Sequence, residues 1–321
     1  MTAKRPLRFL LNWKFQGPNA PFLLAEDADF FAAEGFDITF GIGEGTSAIP
    51  GEIDKGVWDA GFGDFNALIE QHARRPGSVV TTLYSIFDRA PMVVASKRSR
   101  PLLKPRDLVG KTLCAPVFDT GYQMFPALAR AAGFDPGAVK LMPAAPAERD
   151  ALLVADKVDG VIVFDATLVF ALRALGEDPA KYSFMYYADN GVDVYSSALM
   201  ASRDWLKRNP GAGAALVRVV NCGWLEAMRH PEAAVDAVLR RDPSADRASV
   251  RDHLQWVIDH QVRTPVSSRF GLGAMLAARV ERNIDIVMGM ASKSGAGARP
   301  AMAALYDGSF LPPLAERAAP A

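Results

Sequence analysis

An α/β fold in two lobes follows from three features of this 321-residue chain. Short apolar runs alternate with helical stretches as far as about residue 200, the pattern of a sheet with parallel strands and crossover helices. Two neighbouring strands open into polar, aromatic-bearing loops: RFLLN runs into WKFQGPN, and FDITFGIGEG runs into glycines. Strand ends of that kind are where open α/β sheets bind small molecules. The length exceeds one ordinary domain of roughly 100–200 residues. The chain is expected to cross between lobes near residues 90–96 and 195–200, giving one lobe of 1–92 plus 197–321 and a second of 93–196. Two crossing segments make a hinge, the arrangement that closes around a ligand.

The elements follow in order. RFLLN predicts a strand, and Gly17 and Pro18 break the loop after it. APFLLAEDADFFAAEG predicts one helix, stopped by Gly35. FDITFGI predicts the next strand. In WDAGFGDFNALIEQHARR a short strand, a turn at 61–64 and a helix from about Asn66 are expected. SVVTTLYSIF and APMVVASK are strands of the buried type. LKPRDLVGKTLCAP reads as loop, short helix and strand, and FDTGYQMFPALARAAG as a strand end, loop and helix closed by Gly133. VKLMP, PAERDALLVADKV and DGVIVFD repeat strand, helix and strand. Two strand-like runs flank the turn signal Asp189-Asn190-Gly191. Residues 204–230, 231–241, 248–260 and 272–291 carry helical spacing, and the tail LAERAAPA is expected to fray.

Composition narrows the function. Half the residues are apolar, and Lys plus Arg equals Asp plus Glu at 36 each. The absence of a basic tract or basic–aromatic interleaving argues against a nucleic-acid partner. The longest apolar stretch, GVIVFDATLVFALRAL, is interrupted by Asp165 and Arg173, short of the ~18 residues a membrane span needs. Cys114 and Cys222 have no CxxC spacing and read as two buried thiols. His72, His230, His253 and His260 form no metal or catalytic spacing, and no GxSxG nucleophile is present, so neither a metal nor a cofactor is expected. MTAKRPLRFLLNW lacks a secretory signal's apolar run. Either the protein is cytoplasmic or this is a mature chain.

LNWKFQGPNAPFLLAEDADFFAAEGFDI, VDGVIVFDA, and YYADNGVDVYSSALMAS with the late LYDGSFLP resemble the bacterial solute-binding proteins related to thiamine-pyrimidine synthase. That family also includes nitrate, taurine and alkanesulfonate binders. The resemblance implies a type II periplasmic-binding-protein fold, α/β, with two lobes of mixed sheets joined by a two-segment hinge. It implies a solute held in the cleft, delivery to an ABC permease, and a periplasmic location. YYADNGVDVY and SFLP are most similar to the pyrimidine-precursor branch. One enzyme branch consumes its own histidine with a pyridoxal cofactor. This chain has Asn19 where that histidine stands and lacks the branch's cysteine-rich string, so a non-enzymatic binder is expected. A cytoplasmic pyrimidine-type enzyme, or a binder of sulfonate-type anions, is the alternative.

Candidate site residues come from the strand-end loops. Trp13 offers an indole face for stacking on a heteroaromatic ring, beside Asn12, which both donates and accepts. Phe15 and Asn19 lie nearby, and Lys14 is the cation of this loop. In GIGEGTS, Gly45 and Thr46 either line the cleft or form a tight turn with Thr46 or Ser47 as helix cap. It is neither GxGxxG nor a Walker loop. Asp64 reads as a ligand acceptor or as a cap, and Phe65 as a ring contact or as core. In FDTGYQ, Asp119 or Thr120 caps a helix, Gly121 lets a ligand approach the backbone, and Tyr122 suits a cleft wall. Asp165, ending GVIVF, pairs with an aminopyrimidine or caps the next helix. Tyr187, Asp189 and Tyr195 flank the second crossover, where at least one is expected to face the cleft.

Overall fold

The computed structural model describes residues 4–291 and 297–320. The chain groups into two compact units. Unit one holds residues up to Arg89, Tyr195–Ile284 and the C-terminal residues from 297, and unit two is Ala90–Val194 with residues 285–291. The sequence reading had kept that last segment in the first lobe.

Ten strands form two sheets of five. Unit one contains β1 (Arg5–Leu11), β2 (Phe36–Ile42), β3 (Ala60–Asp64), β4 (Val80–Ser85) and β10 (Ser197–Ser202), in the order β2-β1-β3-β10-β4. Strand β1 is parallel to β2 and β3, while β10 is antiparallel to β3 and β4. Unit two contains β5 (Met92–Lys97), β6 (Thr112–Ala115), β7 (Lys140–Pro143), β8 (Gly160–Phe164) and β9 (Tyr182–Tyr186), in the order β7-β6-β8-β5-β9. Strand β6 is parallel to β7 and β8, and β5 is antiparallel to β8 and β9. In each sheet the antiparallel strand is the one the chain builds on arriving from the other unit. Both sheets are therefore mixed.

The helices are α1 (Ala20–Asp27), α2 (Phe30–Ala33), α3 (Ile49–Asp54), α4 (Phe65–Arg74), α5 (Thr120–Ala131), α6 (Pro146–Val154), α7 (Asp165–Ala174), α8 (Arg203–Arg208), α9 (Ala212–Arg229), α10 (Pro231–Arg241), α11 (Arg247–Val257), α12 (Pro265–Phe270), α13 (Ala277–Ala291) and α14 (Met302–Leu305). Helix α1 buries Ala20, Pro21, Phe22, Leu23, Leu24 and Ala25, because it is sandwiched between the sheet and α9 rather than lying on the surface. In unit two, Val93, Ala95, Cys114, Val161, Val163, Leu168 and Leu172 make a separate core.

Five sequence expectations need correction. The single helix over 20–35 is two, because Asp29 adopts a left-handed conformation (φ 58°) between α1 and α2. The stretch 61–64 is strand, not turn. A side chain at Gly61 or Gly63 would collide with Ile49 of α3, so these glycines mark close helix–sheet packing. The helix over 204–230 breaks at Pro210 and Gly211 into α8 and α9. The tail is anchored: Arg317 donates to the carbonyls of Pro312, Phe270 and Leu272, and its own carbonyl accepts from Leu272 N at 2.8 Å. Of the two thiols, Cys114 is buried but Cys222 is exposed.

Candidate functional site

In unit one, the C-terminal ends of β1, β2, β3 and β4 and the start of β10 lie on one edge of the sheet, since Ser197 is in register with Asp64 and Ala198 with Ser85. The glycine-rich loop after β2 is stitched to this edge by backbone bonds. Gly43 N donates to Leu11 O at 2.9 Å, Gly45 N to Asn12 O at 2.9 Å, and Asp64 N to Thr46 O at 3.0 Å. Asn12, Gly45, Thr46 and Asp64 are thus brought together. Trp13 follows directly, 46% exposed, an unusual state for the largest apolar side chain. Ile42, at the end of β2, is also exposed. Along the same edge, Asn12 Oδ1, Ser85 Oγ and Ser197 Oγ are buried without a hydrogen-bond partner among the described residues. Buried polar atoms are satisfied in most native proteins, so such a group at a strand end points to a polar partner supplied from outside the chain.

Several predicted residues serve structure instead. Asn19 is fully buried, and its Nδ2 donates to the carbonyls of Trp13 (3.1 Å) and Lys14 (3.0 Å), lacing the loop that presents Trp13. Asp64 is the N-cap of α4, its Oδ1 accepting from Asn66 N at 2.8 Å and Asn66 Nδ2 at 2.9 Å. Phe65 and Tyr195 are both 0% exposed, with ring centroids 6.3 Å apart and nearly perpendicular, so neither offers a surface to a solute. Burial raises the Tyr195 phenol above its ordinary value, and its oxygen accepts from Leu276 N at 2.8 Å. Phe15 packs against the core.

In unit two, the ends of β6, β8 and β9 and the start of β5 share an edge, with Met92 opposite Phe164 and Val93 opposite Tyr186. Asp119 caps α5, accepting from Gly121 N at 2.8 Å. Gly121 is required for packing rather than for ligand approach: a Cβ there would lie 2.7 Å from Ile162 Cγ2. Tyr187 is fully buried, its hydroxyl donating to Gly121 O at 3.0 Å, and burial pushes that phenol well up. Asp165 is also fully buried. Its Oδ1 accepts from Ala166 N at 2.6 Å and its Oδ2 from Tyr186 Oη at 2.9 Å. The carboxylate therefore orients Tyr186 rather than presenting itself. Tyr122 is partly exposed, and Asp189 is exposed on the turn after β9.

The sequence did not single out Phe118, Tyr186, Ser85 or Ser197, which the structure places at or next to these strand ends. Phe118 is 65% exposed next to the capped start of α5. An aromatic just ahead of a cap residue was a readable signal. Tyr186 shares its motif with Tyr187, and pattern does not say which of two adjacent tyrosines is fully buried. The serines gave no signal inside apolar strands.

Among the described residues, no group of three His, Cys, Asp or Glu side chains is placed to hold a metal ion, and no helix is long and apolar enough to cross a membrane. His72 and His253 are held below the ordinary imidazole value by burial, His253 at about 4.

Residues 17–234 match the family described as NMT1/THI5 like. The riboflavin-binding protein RibY of Chloroflexus aurantiacus is 24% identical over 264 residues, 79% of this chain and 72% of that protein. The periplasmic aliphatic sulphonate binding protein SsuA of Escherichia coli superposes with a TM-score of 0.74 at 13% identity, covering 97% of this chain and 94% of the other. A DSZB mutant in complex with biphenyl-2-sulfinic acid superposes with a TM-score of 0.61 at 14% identity, over 95% and 97% of the two chains. At these identities the structural likeness establishes the fold, which is that of the periplasmic binding proteins.

Proposed function

The chain belongs to the NMT1/THI5-like family, and from that premise we propose that it is the solute-binding protein of an ABC importer, taking a small aromatic or heteroaromatic solute. The observation that carries this reading is Trp13, half-exposed at the end of β1 beside the buried, unpartnered Oδ1 of Asn12. An indole face stacks on a planar ring, while an amide oxygen accepts from a ring N–H or an exocyclic amine. Gly45 and Thr46 flank this pair. Lining by aromatic faces with a few fixed polar atoms is the usual composition of a small-molecule site.

The relative that binds riboflavin, a fused heteroaromatic, supports this class of solute. A thiamine-pyrimidine precursor is the leading single candidate, from the motifs YYADNGVDVY and SFLP. A sulfonate ranks lower, because Lys14 is the cation at the unit-one loop and it is exposed. In this role the protein acts outside the inner membrane, passes its solute to a permease, and does no chemistry on it.

Calorimetric titration with riboflavin, thiamine-pyrimidine precursors, taurine and an alkanesulfonate tests the reading. One-to-one binding of a heteroaromatic compound without turnover is the expected result. Binding confined to the aliphatic sulfonates, or conversion of any compound by the purified protein, would overturn it.

A further inference from the structure

The chain leaves unit one after Arg89 and returns at Tyr195. Both points are gripped by the part of α13 that belongs to that unit, residues 277–284. Arg279 of α13 donates through Nη1 to Asp88 Oδ1 at 2.8 Å and through Nη2 to Asp88 O at 2.6 Å. The same guanidinium lies 4.1 Å from the centroid of the Tyr195 ring. One turn along, Asn283 accepts from Tyr195 N at 2.8 Å and donates to Asn66 Oδ1 at 2.7 Å. Asn66 Nδ2 in turn reaches Tyr195 O at 2.8 Å and Asp64 Oδ1 at 2.9 Å. Positions 279 and 283 are four apart, so both side chains project from one face of the helix. Arg279, Asn283, Asp88 and Asn66 are all buried.

A surface helix needs no such set of desolvated polar groups for stability, since replacing buried ionic groups by apolar ones is often neutral or favourable. What the set does uniquely is fix backbone geometry. It holds the main chain of Asp88 on the outgoing segment, both the N–H and the carbonyl of Tyr195 on the returning one, and the cap of α4 at the strand edge. We propose that Arg279 and Asn283 are positioning residues of the binding function: they fix the two crossover segments in one arrangement, and through Asn66 they couple that arrangement to Asp64 at the solute edge. This rests on the solute-binding reading and adds to it the side chains that hold the two points where the chain leaves and re-enters unit one.

The test uses the full chain without solute, so that a wrong choice of solute leaves its result intact. Spin labels are placed at Lys55→Cys and Lys157→Cys, one exposed position in each unit, in a Cys222→Ser background, with Cys114 buried. The distance distribution between labels, and amide hydrogen exchange at Tyr195, are compared for the parent, Arg279→Lys and Asn283→Ala. The expected result is cooperative unfolding for the variants, a broadened distance distribution, and exchange at Tyr195 faster by about ten-fold in Asn283→Ala, as loss of one hydrogen bond implies. An unchanged distribution and unchanged exchange in folded variants would overturn the proposal. If Asn283→Ala fails to fold, Arg279→Lys, which keeps the charge but loses the fork, decides by the same distance measurement. Failure of every solute in the calorimetric panel would count against the solute reading alone.

Discussion

Trp13 and Asp165 were picked by one rule, a ligand-competent side chain just past an apolar strand, and the fold treats them oppositely. Trp13 stays half-exposed because Asn19 holds the carbonyls on which its loop turns. Asp165 is fully buried, because Ala166 N and Tyr186 Oη consume both oxygens. Local sequence shows that such a residue sits at an edge. It does not show which oxygens the neighbouring chain has already taken. Phe118, by contrast, is 65% exposed at the same strand edge of unit two. Replacing Trp13 by Ala is expected to weaken the solute identified by titration by about ten-fold, since one stacked ring contributes about 1 kcal/mol beyond its buried area. An unchanged dissociation constant would remove Trp13 from the site. Tyr187→Phe leaves the Gly121 carbonyl without its buried donor and is expected to cost about 1–3 kcal/mol in urea unfolding. A midpoint equal to wild type would show that the hydroxyl contributes nothing.

Strands were the most legible elements, because β-branched and aromatic runs bounded by Gly and Pro leave little alternative. Helix limits were less so. The break at Asp29 depends on a backbone conformation that a non-glycine residue adopts only under tertiary pressure, and no periodicity announces it. Glycines misled in the opposite sense, reading as turns at 61–64 where the sheet needed room for α3. Gly17 shows the same demand in the loop after β1. A Cβ there would lie 2.4 Å from Leu254 N and 2.7 Å from Val250 O, both backbone atoms of α11. Backbone cannot swing aside as a side-chain tip does. Gly17→Ala is therefore expected to shift α11 from the Trp13 loop and to destabilise the protein by about 1–3 kcal/mol, the range for overpacking. Calorimetric melting checks it, and a melting temperature at or above wild type would show that α11 yields freely.

The charge balance of 36 against 36 makes no demand on pH by itself, but two imidazoles do. Burial holds His253 at about 4, against an ordinary 6.5, and lowers His72 in the same direction. In the fold His253 stays neutral down to about pH 4 and His72 resists protonation in the same sense, while in the unfolded chain both take up protons as the pH falls through 6.5. Unfolding therefore gains protons, and stability is expected to decline from about pH 6.5 down towards pH 4 and to be flat in these groups above that window. Urea titrations at stepped pH measure the slope, and His253→Asn is expected to flatten it. An equal slope in that variant would place the proton uptake elsewhere. The sequence by itself determined the α/β class and the strand edges, because hydrophobic period and breaker residues are local properties of the chain, and its motifs carried the family resemblance. Tertiary structure alone decided which edge residues keep a free face, where one helix becomes two, and that Arg279 and Asn283 grip both crossover segments. Those outcomes depend on which hydrogen-bond partner arrives from 88, 129 or 217 residues away along the chain, a separation over which local pattern carries no information.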